Sequence, residues 1–190
     1  MQGTFDIHCQ SVPCIASRYK EGEREMTKKG LFNQVLQVAV VVKDLEEAMK
    51  NYWDKWGIGP WSVYTFDPNT VKDMILHGKR EDYAMKLALA EIGNVQWELI
   101  QPLDDKSIYA DFLKEHGEGL HHVALGVESY EEAMKLAEER EVGVIQGGTW
   151  FGFTYTYLDT RKDLATIVEL YNQPEGWEFP EPEDTYPKNS

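Results

Sequence analysis

Cysteine, basic residues and long apolar runs are all scarce in this chain. Of its 190 residues two are cysteines, Cys9 and Cys14. Their C-x4-C spacing does not fit the usual zinc spacings, so free thiols in a cytoplasmic protein are expected. No stretch is long and apolar enough to span a bilayer, and the N-terminus lacks the apolar segment of a secretory signal, so neither insertion nor export is expected. Lys and Arg number 19 against 33 Asp and Glu, giving a net charge of −14 and a pI near 4.7. That balance argues against nucleic acid and against an anionic membrane surface as partners. It leaves anionic small substrates open, because a bound metal ion can dominate the local field. With 42% hydrophobic and 27% charged residues the composition is that of a globular protein, and the length suits one good core rather than two.

What the chain does have is an internal repeat. Residues 37–50 read QVAVVVKDLEEAMK and residues 122–135 read HVALGVESYEEAMK. Each copy is followed later by Glu-Leu at the end of an apolar run, at Glu98-Leu99 and Glu169-Leu170. Gln37 is thereby paired with His122, and Glu98 with Glu169. A single His, Gln or Glu near a strand end is usually just hydrogen-bonded or solvated. Four lone-pair donors kept at repeat-related positions point instead to one metal site shared by two halves.

Local patterning predicts the elements. The β-branched run 34–42 reads as a strand covered on both faces. Asp44 with Glu47 opens a helix that stops at Gly57, and Ser129 with Glu132 opens its counterpart. Strands are predicted at 61–66, 85–92 and 95–101 in the first half, the last two joined around Gly93-Asn94. The second half repeats the order, with strands at 121–127, 143–145, 153–158 and 165–171, and a short helix over 107–116 lies between the halves. The predicted fold is α+β: two βαβββ modules forming a cupped, barrel-like mixed sheet around the shared metal site. Residues 1–30 are expected to be an extension, 31–174 one domain (module one 33–104, module two 117–174), and 175–190 an irregular, proline-rich tail lying on the surface or on a partner subunit.

Over residues 33–174 this pattern resembles the vicinal oxygen chelate superfamily, which contains glyoxalase I, methylmalonyl-CoA epimerase, extradiol dioxygenases and bleomycin-resistance proteins. The stretch 112–124, FLKEHGEGLHHVA, preceded by ELIQPL at 98–103, is most similar to methylmalonyl-CoA epimerases. The resemblance implies Gln37, Glu98, His122 and Glu169 as ligands of a divalent ion (Zn, Mn, Co or Ni), with His121 pointing away as a structural residue. Bacterial epimerases usually have His where Gln37 stands, and the Gln/Glu/His/Glu set is instead similar to that of animal-type glyoxalase I. Epimerases carry a further glutamate in the first module, and the matching strand here offers Lys86.

The chemistry implied is an epimerase or racemase that exchanges a proton next to a carbonyl through an enolate, with the metal as Lewis acid. Glu169 is expected to be the base, with Lys86, then Asp73 or His77, as the second proton carrier. The expected partners are a small molecule with a carbonyl or thioester and, by resemblance, a second copy in a homodimer. Lys79-Arg80 and Arg161-Lys162 are the candidate anchors for a coenzyme A group. The many aromatic residues suit an aromatic ketone, such as an isoflavanone, as a different substrate for the same chemistry. The resemblance also leaves open a glyoxalase I reaction and a non-catalytic protein that binds a small molecule.

Overall fold

A computed structural model of the chain describes residues 30–188. Both cysteines, and all of the expected extension except Gly30, lie outside the described residues. The first half runs β1 (Phe32–Val41), α1 (Leu45–Trp56), β2 (Trp61–Phe66), β3 (Val71–Leu76), β4 (Lys79–Arg80), β5 (Met85–Ile92) and β6 (Val95–Pro102). After α2 (Ile108–His116) the second half runs β7 (Gly119–Val127), α3 (Tyr130–Glu139), β8 (Val144–Trp150), β9 (Phe153–Leu158), α4 (Arg161–Leu164) and β10 (Ile167–Asn172). A last short strand, β11 (Asp184–Tyr186), follows. No helix among the described residues is long and apolar enough to cross a membrane.

Helix boundaries follow from the caps. The Asp44 side chain accepts from Glu47 N at 2.9 Å, and Gly57 closes α1 in the left-handed region at φ 68°, where a Cβ would be strained. Ser129 accepts from Glu132 N at 3.1 Å and starts α3 in the same way.

The fold is a mixed α+β one, with all strands in one large, curved, unclosed sheet in the order β11-β2-β5-β6-β1-β7-β10-β9-β8-β3-β4. The two halves meet where β1 runs antiparallel to β7. Within each half the first strand pairs in parallel with the last, β1 with β6 and β7 with β10. Strand alternation then sorts the side chains. Inward residues such as Ala39, Val41, Leu87, Ile100 and Tyr157 form one core inside the cup. Outward residues pack under the helices, Val40, Ala88 and Leu99 near Leu45 and Met49 of α1, Val168 and Leu170 near Ala133 and Ala137 of α3.

Two connections depart from the expected pattern. Residues 71–80, where sequence patterning predicts no strand, leave the first half and lay β3 against β8 of the second. The tail, expected to be irregular, does cross the surface but ends by adding β11 to the free edge of β2. The first half thus covers the outer edge strand of the second, and the tail covers residues 61–63 of the first half's edge strand, which reduces the exposed ladders of unpaired N–H and C=O groups.

Candidate metal centre and substrate cavity

The register assembles the four predicted residues. The adjacent central strands β6, β1, β7 and β10 carry Glu98, Gln37, His122 and Glu169. Ala39 lies beside Glu98 across β1 and β6, and Ala124 lies beside Glu169 across β7 and β10. Gln37 and His122 each sit two residues before their alanine, so they share its face. Both alanines are fully buried, and their small side chains leave the centre of the cup to the four longer ones.

All four residues are buried. His122 Nε2 lies 3.2 Å from Glu169 Oε2 and 3.6 Å from Glu98 Oε2, yet it has no aligned hydrogen-bond partner. The inner atom of the Gln37 amide lies 3.2 Å from each of the two glutamate oxygens. With its oxygen inward, Gln37 donates to Gln96 Oε1 at 2.7 Å and accepts from the Tyr171 hydroxyl at 2.7 Å. With its nitrogen inward it donates to both carboxylates instead. The oxygen-inward sense brings four lone-pair donors together with no donor facing them except Tyr171, which also reaches Glu169 Oε2 at 3.0 Å.

Charge is poorly balanced here. No Lys or Arg is buried among the described residues, so the two carboxylates have only His122 beside them. Burial first, and the Glu169 charge second, push the Glu98 carboxyl well above its ordinary range.

The neighbouring imidazole fixes the tautomer of His122. The Nδ1 atoms of His121 and His122 are 2.8 Å apart, so one must donate to the other. His121 makes its other bond to the backbone of Ile108, and burial followed by the adjacent His122 pushes it down to about 2, so it stays neutral. The arrangement consistent with both contacts has His122 Nδ1–H donating to His121, which leaves the Nε2 lone pair aimed at the carboxylates. Ile108 is itself held by Gln146 Oε1, which accepts from its N–H at 3.0 Å. His121 therefore supports the centre, a role that alternation alone did not reveal.

The donor set fits a divalent ion. Donors bound at about 2.0–2.2 Å lie about 2.8–3.6 Å from one another, and the spacings here fall in that range. An imidazole, two carboxylates and an amide oxygen suit zinc, manganese, cobalt or nickel. As the side chains stand, no group of three or more His, Cys, Asp and Glu among the described residues is arranged to hold a metal. Only His122, Glu98 and Glu169 of the four are of those types, and the fourth corner is an amide.

A cavity of about 240 Å³ opens onto three of the four residues, with His122 buried behind them. Its floor includes Gln37, Glu98 and Glu169, and its walls are largely aromatic, with Trp150, Phe153, Tyr155 and Tyr157 from the second half. Lys86 does not reach it. Met85, Leu87 and Leu89 line the cavity, so Lys86 points to the opposite face of β5, where it borders a separate surface cleft with Asp184 and Lys188. Asp73 and His77 do not line it either; they occupy left-handed positions in and after β3, and His77 borders another cleft. The candidate coenzyme A anchors also lie elsewhere, with Arg161 paired to Asp159 and Arg80 to Asp82.

Fold and family agree. Residues 36–157 match the Glyoxalase/Bleomycin resistance protein/Dioxygenase superfamily, and the chain belongs to it. An uncharacterised Bacillus subtilis protein, YqjC, is 29% identical over 135 residues, covering 66% of this chain and 94% of that one. Among solved structures, methylmalonyl-CoA epimerase from Mycobacterium tuberculosis superposes with a TM-score of 0.59 at 20% identity, covering 80% of this chain and 95% of that one. A Streptomyces coelicolor methylmalonyl-CoA epimerase in complex with 2-nitronate-propionyl-CoA gives 0.60 at 18% identity, covering 78% and 99%. A hypothetical protein from Bacillus halodurans gives 0.56 at 24%, covering 77% and 98%. Identities this low establish a shared fold.

Proposed function

We propose that the chain is a metal-dependent isomerase of the epimerase or racemase type, which removes a proton from a carbon next to a carbonyl and returns it. The observation that carries this reading is the convergence of four buried lone-pair donors, of which Gln37 and the two carboxylates from mirrored positions reach the floor of a cavity and His122 lies directly behind them. A divalent ion bound there would supply a Lewis acid toward the carbonyl oxygen. Glu169 takes the proton: the C–H bond breaks, its electron pair moves toward the carbonyl, and an O–H bond forms on the carboxylate. Glu98, at the equivalent place in the first half, replaces Lys86 as the group that returns a proton on the other face. Tyr171 holds Glu169 and Gln37 in position.

Methylmalonyl-CoA epimerase neighbours support the reaction type, while their acyl-CoA substrates belong to those proteins. The Gln/Glu/His/Glu set favours a second reading, isomerisation of a glutathione hemithioacetal as in glyoxalase I. The lining weighs against it, because it holds no Lys or Arg to pair with the two carboxylates of glutathione.

The test is metal analysis of the full chain together with deuterium uptake in deuterium oxide by methylmalonyl-CoA and by propiophenone. Uptake next to the carbonyl of either compound, lost on chelation and in Glu169→Gln, is the expected result. A protein that holds metal but labels neither compound would not be this kind of isomerase.

A further inference from the structure

The tail forms a wall of the cavity. Trp177 stacks on Phe153, with ring centroids 4.9 Å apart and planes at 30°, and its Nε1 donates to Phe151 O at 3.0 Å. Phe179 packs on Trp177 at 4.9 Å and on Tyr64 at 5.9 Å. Tyr64 OH donates to Pro180 O at 3.3 Å, and Glu183 accepts from Thr65 N at 3.0 Å and Thr65 Oγ1 at 2.7 Å before β11 joins β2. Residues 174–183 are thus a strap tied to the second half at Trp177 and to the first at Glu183. Both Trp177 and Phe179 line the cavity. The strap lies beyond the 36–157 stretch that matches the superfamily.

Charge in the cavity has one sign. The charged residues lining it are Glu91, Glu98 and Glu169, and no Lys, Arg or His joins them. A divalent ion held by Glu98 and Glu169 would offset those two carboxylates, which leaves Glu91 as the unbalanced charge and no Lys or Arg in the lining to pair with a phosphate-bearing carrier. The cavity's roughly 240 Å³ is the space of about eight waters at ~30 Å³ each, enough for one ring system and a short carbonyl arm. Flat rings pair well with aromatic walls in stacked or edge-on contact.

From these features we infer that the substrate is an uncharged carbonyl compound bearing an aromatic ring, and that Trp177 and Phe179 of the strap select it. The ring lies against the strap and the Trp150–Phe153 wall, and the carbonyl reaches toward Gln37, Glu98 and Glu169 on the floor. This inference rests on the proton-transfer reading of that floor.

The experiment is calorimetric titration of the metal-loaded full chain with propiophenone and, separately, with methylmalonyl-CoA, followed by deuterium uptake on each. Propiophenone is expected to bind and methylmalonyl-CoA to give no saturable heat. Trp177→Ala and Phe179→Ala are each expected to weaken propiophenone at least tenfold, with Trp177→Phe restoring most of the affinity. That rescue separates ring contact from mere loss of fold. Tighter binding of methylmalonyl-CoA than of propiophenone overturns the inference, as does unchanged affinity in both alanine variants. Propiophenone binding that follows this pattern without deuterium uptake keeps the substrate class and removes the proton-transfer reading. Uptake by methylmalonyl-CoA alone does the reverse.

Discussion

The two halves of the molecule are built to one plan and carry different loads. Gln37, Ala39 and Glu98 in the first occupy the places of His122, Ala124 and Glu169 in the second, held there by identical strand pairings. Their chemistry is unequal, for the first half offers a neutral amide where the second offers an imidazole. Their packing is unequal too. The first helix covers an aromatic layer, with Tyr52 edge-on to Trp61 at 5.8 Å and tilted against Trp97 at 6.5 Å. The second helix sits close to its sheet on Ala133 and Ala137. Register conserves where a side chain points, leaving its chemical identity free to differ between copies.

The largest asymmetry is expected in metal affinity. His122→Ala should lower it by more than about 100-fold, beyond the range typical of supporting residues, whereas Gln37→Ala should cost clearly less because a neutral amide is the weakest of the four donors. Equal losses, read by competition with a chelator, would mean that the halves contribute alike. Next comes the support behind the second half's donor. His121→Phe keeps a ring in place but removes the acceptor for His122 Nδ1–H, and should weaken metal binding about 10–100-fold. Retention of full affinity would show that His122 is oriented by packing alone. Smaller still are the caps, where Asp44→Ala and Ser129→Ala should each cost about 1 kcal/mol in chemical denaturation. A markedly larger loss in one half would locate the more fragile helix. Lys86→Ala should leave deuterium exchange unchanged, because its side chain faces away from the cavity; a large drop in rate would return it to the reaction.

Local signals carried much of this plan. Asp44, Gly57, Ser129 and the Gly93-Asn94 turn mark their boundaries by conformations that neighbouring residues alone dictate. The pairing of Gln37 with His122 was legible because the repeat was. Lys86 drew its expected role from a family position, although period-two alternation around Met85, Leu87 and Leu89 already put it on the opposite face. The long-range parts were not legible. Residues 71–76 break their pairing with a bulge between Lys72 and Ile75, and nothing local says that their partner is β8. Three prolines and several acids made 177–190 look like a loose tail, yet Trp177 and Phe179 were apolar signals pointing to a packed surface. Tyr171 gave no sequence sign of its contact with Gln37, because those residues are 134 positions apart.

The exchange of edge strands has a consequence for how the chain folds. The β5–β6 hairpin closes across two residues, so it can form early. Pairing of Lys72 with Thr149 spans 77 positions (149 minus 72), and that of Thr185 with Ser62 spans 123 (185 minus 62). Loop-closure entropy makes such distant pairings late events, after the central strands have met. Until the last segment docks, β2 presents a bare ladder to its surroundings, and chains lacking β11 should self-associate through it. The strap that walls the cavity is therefore also the molecule's final guard against aggregation.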